Sequence, residues 1–143
     1  MNIIECLRDY VSQCPYLDEF SESVNVDYLS DDYGSYSIEE VPTDPIVKRY
    51  LDGSTERQFD FIFCSRESYG ADVIQNIDNS GFYENFSDWI ERNSDKGILP
   101  YLGDNRTALR IVTTTGGYAF ATDINQARYQ IQLKLIYLQR KAK

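Results

Sequence analysis

The N-terminal residues carry apolar side chains at the spacing of an α-helix. Polar residues fill the positions between them, and Pro15 follows where a helix of this length has to end. The apolar positions are Ile3, Ile4, Leu7, Val11 and Cys14. This pattern predicts an amphipathic N-terminal helix that buries its apolar face against another part of the chain.

Two later stretches alternate between apolar and polar residues with a period of two, which is typical of strands. They cover residues 24–29 and 36–41, and the string Asp-Asp-Tyr-Gly at 31–34 has the composition of a turn. Two prolines then bias the residues before them toward extended backbone. We therefore expect two strands that each pack on one face, followed by a stiff loop or a strand edge at residues 41–45.

The string Asp52-Gly53 is a strong hairpin signal, because strand-like runs at residues 46–51 and 56–65 flank it. The second run carries apolar side chains on both of its faces. Three phenylalanines share one face and two apolar residues share the other: Phe59, Phe61 and Phe63, then Ile62 and Cys64. We therefore expect a helix to cover one face of this strand and another subunit to cover the other.

A second helical region is predicted in the middle of the chain. Apolar residues at helical spacing run from Val73 to Ile90, and polar residues and a glycine interrupt them at 79–81. The pattern predicts two short helices or one kinked helix. Its aromatic residues have the spacing of a helix that packs on a sheet.

The C-terminal part of the chain has strand patterns. They cover residues 108–115, residues 118–122 and a long final stretch, and Gly116-Gly117 between the first two favours a hairpin turn over a phosphate-binding loop. Residues 124–143 contain five basic residues and no acid, which predicts a solvated, basic end on the final strand.

The order helix, strands, helix, strands predicts an α+β fold. We expect a mainly antiparallel sheet with the N-terminal helix and the central helix or helix pair on one face. A chain of 143 residues and 16.6 kDa has the size of one domain, so residues 1–143 are interpreted as a single unit. No apolar run approaches the ~18 residues of a membrane span, and no secretory signal is recognisable, so we expect the cytoplasm and no membrane partner.

The sequence contains no histidine, which excludes several classes of catalytic and metal site. Ser-His-Asp and Cys-His catalysis, histidine-ligated haem and imidazole zinc sites all need it. The three cysteines form no CxxC pair, so we expect free, partly buried thiols. Neither GxxxxGK[ST] nor GxGxxG occurs, and we expect no cofactor and no metal ion.

Acidic residues dominate the chain before its basic end. The formal net charge is −9, with nine acids and no base between residues 18 and 44. The paired carboxylates Asp31-Asp32 and Glu39-Glu40 are the remaining candidates for metal binding or acid–base catalysis. Neighbouring strand residues point to opposite faces, so the second pair does not converge on one ligand. We interpret these residues as solvated acids and keep a carboxylate-dependent, metal-binding hydrolase as the alternative.

A long ordered series of short strings runs through residues 33–90. In chain order they are YSIE at 36–39, VPTDP at 41–45, KRY at 48–50, DG at 52–53, RQF at 57–59, SRE at 65–67, YGADV at 69–73, NSGFYE at 79–84 and WI at 89–90, and ARYQIQ follows at 127–132. Together they resemble the small tail-terminator-like proteins of tailed phages and prophages, which are often labelled minor capsid proteins. The order of the strings carries the resemblance, since no single string is diagnostic of a chemistry.

The resemblance implies a structural protein of a long-tailed phage without enzymatic activity. It implies a homo-oligomeric ring, expected to be a hexamer, that sits on the last ring of the tail tube protein and stops tube growth. The ring would then present the surface that meets the head-tail connector protein. The expected location is the head-proximal end of the virion tail, and the host cytoplasm during assembly. A head-completion or connector protein is the alternative within the structural class.

Two groups of residues are candidates for this role. The subunit and tail-tube interface is expected at the proline loop and at two arginines: Val41, Pro42, Thr43, Asp44, Pro45, Arg57 and Arg66. The arginines could bridge to a neighbour's carboxylates or form pairs within their own subunit. Lumen-facing acids are expected at Asp31, Asp32, Glu39 and Glu40. Their negative charge would repel the DNA that passes through the ring, and the protein would not bind this DNA specifically.

Overall fold

The computed structural model describes residues 2–17, 24–26, 36–68, 73–122 and 126–141. Its helices are α1 (Ile3–Val11) and α2 (Val73–Asp95), and its strands are β1 (Val24–Val26), β2 (Tyr36–Val41), β3 (Ile46–Arg49), β4 (Thr55–Ser68), β5 (Arg106–Thr113), β6 (Tyr118–Thr122) and β7 (Gln126–Gln139). The turn predicted at residues 31–34 lies outside the described residues.

The two longest strands, β4 and β7, form the centre of the sheet. They pair antiparallel over their full 14 residues each, from Thr55 opposite Gln139 to Ser68 opposite Gln126. Aromatic and aliphatic residues recur at every second position, from Phe59 to Phe63 and from Tyr129 to Tyr137, so one face of each strand is apolar. The hairpin predicted around residues 52–53 is confirmed, since β3 pairs antiparallel with the start of β4.

Each central strand is flanked by two short strands that share its outer edge. Strands β2 and β3 both pair with β4, and β5 and β6 both pair with β7. All of these pairs are antiparallel, whereas β1 runs parallel to β2 and does not form a hairpin with it. The α+β fold with a mainly antiparallel sheet is confirmed.

The hairpin predicted at Gly116-Gly117 is wrong, because residues 114–117 interrupt an edge without reversing the chain. The amides of Thr114 and Thr115 both donate to the carbonyl oxygen of Gln132, at 2.8 and 3.4 Å. Two residues thus share one partner on β7, and β5 and β6 continue in one direction on either side of the irregularity.

The predicted N-terminal helix is confirmed as α1. Its first turn is capped by Asn2, whose side chain accepts a hydrogen bond from the Glu5 amide at 3.0 Å. The apolar face of α1 is buried in the core, which it shares with α2 and one face of the sheet. At the end of this face, the Tyr10 hydroxyl donates to the Ile98 carbonyl at 2.7 Å and joins the helix to the segment that follows α2.

The central helical region is one continuous helix, α2. Asn79, Ser80 and Gly81 are weak helix formers, but none of them removes a backbone donor as proline would. Packing beyond the interruption stabilises the helix: Phe86 is fully buried and stacks on Phe63 of β4 at 4.5 Å between ring centroids. Neither helix in the described part of the chain combines the length and the apolar character needed to cross a membrane.

The opposite face of the sheet, here called the open face, has no helix on it among the described elements. Its side chains come from the alternate residues of β2, β4 and β7: Ser37, Glu39, Val41, Asp60, Ile62, Cys64, Arg66, Arg128, Gln130, Gln132, Lys134 and Ile136. Most of them are half-buried, and polar and apolar residues are mixed. That another subunit covers this face stays a prediction.

Candidate functional site

The proline loop predicted as an interface lies between β2 and β3, along the outer edge of β4. Residues 42–45 are exposed, and Val41 at the end of β2 is half-buried. Each proline fixes its φ angle and removes an amide donor, so the segment does not pair as a strand. Of the two predicted alternatives, a stiff loop or a strand edge, residues 42–45 form a loop, and Val41 is the last residue of β2.

Gln58 of β4 fastens this loop to the sheet. Its side-chain Nε2 donates to the Asp44 carbonyl at 2.7 Å and to Thr43 Oγ1 at 3.4 Å. Its backbone amide donates to the Pro45 carbonyl at 2.9 Å. The Asp44 carboxylate in turn accepts from the Ile46 amide at 3.2 Å, which closes a short turn at the start of β3. The loop is exposed and also held in one shape, as a preformed binding surface requires.

The hairpin between β3 and β4 ends in an ordered turn with an apolar tip. The Tyr50 amide donates to the Ser54 carbonyl, and the Ser54 amide donates to the Asp52 carboxylate, both at 2.9 Å. Hydrogen bonds from Ser54 hold the pKa of the Asp52 carboxyl below its usual value. Gly53 has a φ of +91°, a conformation that a side chain would strain. Within this turn the Leu51 side chain is fully exposed.

The two predicted interface arginines lie far apart on β4 and do not form one site. Arg66 is nine positions after Arg57 along the strand, which is about 30 Å at roughly 3.3 Å per residue. Arg57 lies near the proline loop, on the helix side of the sheet, and its Nε donates to Thr55 Oγ1 at 2.9 Å. Arg66 lies on the open face opposite Arg128, toward the other end of the sheet.

Glu39 and Arg128 form a two-point ion pair on the open face. Arg128 Nη2 donates to Glu39 Oε1 at 2.8 Å, and Nη1 donates to Oε2 at 3.1 Å. The pairing lowers the pKa of the Glu39 carboxyl and raises that of the Arg128 guanidinium. Glu39 therefore does not present a bare carboxylate. Glu40 lies on the opposite face of β2 and is exposed. Asp31 and Asp32 lie outside the described residues.

Hydrogen bonds extend this ion pair across the sheet. Arg128 Nε donates to Gln130 Oε1 at 3.1 Å, and Gln130 Nε2 donates to the Tyr118 hydroxyl at 2.7 Å. On the other side, the buried Cys64 thiol donates to Glu39 Oε2 at 3.6 Å. Burial raises the pKa of Cys64 to about 12, so the thiol is protonated at neutral pH and is not an activated nucleophile.

Acidic side chains are dispersed over the described residues. In the ranges that the structure describes, no three aspartate, glutamate or cysteine side chains lie close enough together to hold a metal ion. Glu39 and Glu40 point to opposite faces of β2, as the sequence predicts. The alternative of a carboxylate-dependent hydrolase thus has no carboxylate cluster in this part of the chain.

Two depressions flank the segment 99–101, which leads from α2 toward β5. One has a volume of about 330 Å³ and lies between this segment and α1, with Asp9 and Tyr10 on its border. The other, of about 420 Å³, lies toward the start of β5 and Arg140. The side chains of Ile98 and Tyr101 are largely exposed beside them. No sequence pattern pointed to these depressions.

Sequence reasoning also missed the network on the open face. Arg128 belongs to the C-terminal stretch that the sequence predicts as a solvated end, and for this residue the prediction is wrong. A signal was present, because Arg128 alternates in phase with Gln130 and Gln132 on the polar face of β7. Its partner Glu39, however, is 89 residues away in the chain, so no local pattern relates the two.

No protein-family model matches this chain, and no curated protein matches it. A functional proposal therefore rests on its own residues: the fastened loop at 42–45, the apolar tip of the hairpin, and the strings that resemble tail-terminator-like proteins.

Proposed function

We propose that this chain is a structural virion protein of a long-tailed phage that forms a ring on the end of the tail tube. The ring, expected to be a hexamer, stops polymerisation of the tube protein and offers the surface to which the head-tail connector binds. In this proposal the protein has no catalytic role, and it acts at the head-proximal end of the tail.

The observation that carries the proposal is the edge made by the proline loop and the β3–β4 hairpin. Several of the strings that resemble tail-terminator-like proteins fall on it: residues 41–45, 48–50, 52–53 and 57–59. Gln58 fastens the exposed loop, and the hairpin presents a fully exposed Leu51. A preformed surface with an apolar tip favours contact with another protein over contact with a small molecule.

The open face supports a second protein contact. Apolar side chains of Val41, Ile62 and Ile136 are half-buried there, and no described helix covers them. On the same face, Asp60 Oδ1 is buried and has no hydrogen-bond partner among the described residues. Atoms of the subunit itself enclose this oxygen, so the case for a second contact rests on the three apolar side chains.

The charge of the chain suits a ring through which DNA passes. The net charge of −9 repels a phosphate backbone. Glu39 is half-buried and Glu40 is exposed, so we test the lumen role on Glu40 together with Asp31 and Asp32. Replacing these three by their amides is expected to slow genome ejection while tails still assemble, and E39Q serves as the matched variant with unchanged ejection. Normal ejection by the triple variant would contradict the lumen role.

The proposed function is tested by electron microscopy of particles made by a phage that lacks this gene. Overlong tails without heads are expected, because nothing then stops the tube. Headless tails of normal length would replace the terminator role with the joining role of a connector. Normal virions would contradict both roles. Complementation with the wild-type chain is the control for effects on neighbouring genes.

A further inference from the structure

We propose that the tip of the β3–β4 hairpin of one copy binds in the depression between α1 and residues 98–101 of the next copy. This inference deepens the proposed function, and it rests on that function for one point, that the partner is a second copy of this chain. It names the two surfaces that meet around the ring.

The hairpin tip carries exposed apolar side chains, and two basic residues precede it on β3, while Asp52 lies within the turn itself. Leu51 is fully exposed, Val47 is 50% exposed and Tyr50 is 39% exposed. Lys48 Nζ lies 5.2 Å from the centroid of the Tyr50 ring, and the Arg49 side chain is also exposed. Three exposed apolar residues close to one another in the chain, on an ordered turn, are typical of a binding element.

The depression has matching properties. Its walls are apolar where Ile98 and Tyr101 border it. Its volume is about 330 Å³, roughly ten times the ~30 Å³ that one water molecule occupies, so a leucine side chain fits. The hydrogen bond from the Tyr10 hydroxyl to the Ile98 carbonyl fixes the distance between its walls. Asp9 is the charged residue on its border, opposite in sign to Lys48 of the tip. It lies 3.6 Å from Arg8 in an exposed ion pair within its own subunit, so Lys48 would compete with Arg8 for this carboxylate.

The topology separates the two surfaces within one subunit. At this end of the sheet the strands lie in the order β3, β4, β7, β5. The hairpin is at one outer edge, and residues 98–101 lead into the strand at the other edge, about 14 Å away at roughly 4.8 Å per strand. The contact therefore joins unlike surfaces of two copies. Contacts of this kind repeat in one direction and close a ring when the rotation between copies permits.

Addition of one edge strand to another is a different way in which the two edges could meet, and both edges are protected against it. Strand β3 carries exposed Lys48 and Arg49, and its register shifts between Ile46 and Lys48. The register of β5 shifts between Ala108 and Arg110. Charged residues and bulges of this kind prevent edge strands from pairing. Docking of the tip side chains is thus favoured over a sheet that continues between subunits.

A charge exchange tests the pairing of Lys48 with Asp9 in the full-length chain. Sedimentation velocity over a range of concentrations is expected to show self-association weakened at least tenfold in K48E and in D9K. The variant that carries both changes is expected to recover most of the lost association, because each contact then has its charges reversed but still opposite. The control for D9K is E84K, which makes the same change of charge at an exposed position on α2. Failure of the double variant to recover would overturn the pairing.

Leu51 is tested separately. L51D is expected to abolish association, and L51M is expected to retain it because the tip stays apolar. In L51C/I98C, oxidation is expected to link successive copies into a ladder of covalent oligomers, since the native cysteines are buried. Linkage of L51C with itself would show a contact between two hairpins and would overturn the proposal, as would the absence of any ladder in the purified chain and in purified tails.

The inference and the proposed function fail in different ways. If rings form and L51D leaves them intact, the hairpin contact is wrong while the ring function stands. If the contact is found in the purified chain but a phage that carries L51D builds normal tails, the tail-capping function is wrong while the contact stands.

Discussion

Glu39 and Arg128 are joined by hydrogen bonds of 2.8 and 3.1 Å between strands that share no backbone hydrogen bonds. Strand β4 lies between β2, which carries the carboxylate, and β7, which carries the guanidinium. Their side chains are only 26% and 20% exposed, so removal of one partner leaves a partly desolvated charge on the other. The pair therefore links three strands of the open face into one unit.

The ion pair predicts a pH-dependent loss of stability. E39Q is expected to lower the free energy of unfolding by about 1 kcal/mol at pH 7. Arg128 lowers the folded-state pKa of Glu39, so its stabilisation is complete above the ordinary pKa of 4.5 and is lost as the pH falls through the folded value. Urea unfolding of wild type and E39Q is therefore expected to differ at pH 7 and to converge in acid.

The matched control for this prediction is E84Q, since Glu84 is an exposed carboxylate on α2. This variant is expected to stay within about 0.5 kcal/mol of wild type at every pH. Equal stability of E39Q and wild type at pH 7 would mean that the ion pair contributes nothing measurable.

Cys64 predicts a second effect, at alkaline pH. Burial raises its pKa from the ordinary 9.0 to about 12, so the unfolded chain loses this proton first. The contribution of the thiol to stability is complete below pH 9 and is lost as the pH rises toward 12. Unfolding free energies measured from pH 8 to 11 are expected to fall less steeply for C64A. Tyr10 and Tyr137 titrate equally in both proteins, so parallel alkaline curves would contradict the prediction.

Gly117 packs so closely on Tyr83 that a methyl group does not fit. A Cβ at position 117 would lie 2.3 Å from Tyr83 Cβ and 2.5 Å from Cγ, and the Cβ atom cannot move without moving the helix. G117A is expected to lower the free energy of unfolding by about 1–3 kcal/mol. Its neighbour provides the control, because a Cβ at Gly116 meets nothing within 4 Å. Thermal or urea unfolding that ranks G116A equal to G117A would contradict this packing.

Gln58 predicts a local effect on the proline loop. Q58A removes the bonds to Asp44 and Thr43 while the backbone bond to Pro45 remains. Hydrogen exchange of the Ile46 amide is expected to accelerate severalfold, with a loss of global stability below about 1 kcal/mol. E56A, two residues earlier on the same face of β4, is the control. Unchanged exchange in Q58A would show that the prolines alone hold the loop.

The elements with a local signal could be predicted from the sequence. The spacing from Ile3 to Cys14 predicts α1, and Asp52-Gly53 between two alternating runs predicts the β3–β4 hairpin. The interruption at residues 79–81 was misleading, because burial of Phe86 against Phe63 stabilises a continuous α2 that helix propensity alone does not favour.

Within the candidate site, the sequence could predict the loop at 41–45 but not the contacts that hold it on the sheet. Proline restricts the backbone through its own ring, so the sequence by itself determined that the loop leaves the strand. Three features depend on residues that are distant in the chain. They are the hydrogen bonds from Gln58 to the loop, the ion pair of Arg128 with Glu39, and the depression beside Asp9. Gly116-Gly117 had the composition of a hairpin turn, yet Gln132 accepts bonds from both Thr114 and Thr115 and keeps the chain on one edge. Only the tertiary structure decided these features. Which strands pair depends on how whole faces of the sheet are buried, and local periodicity does not determine this.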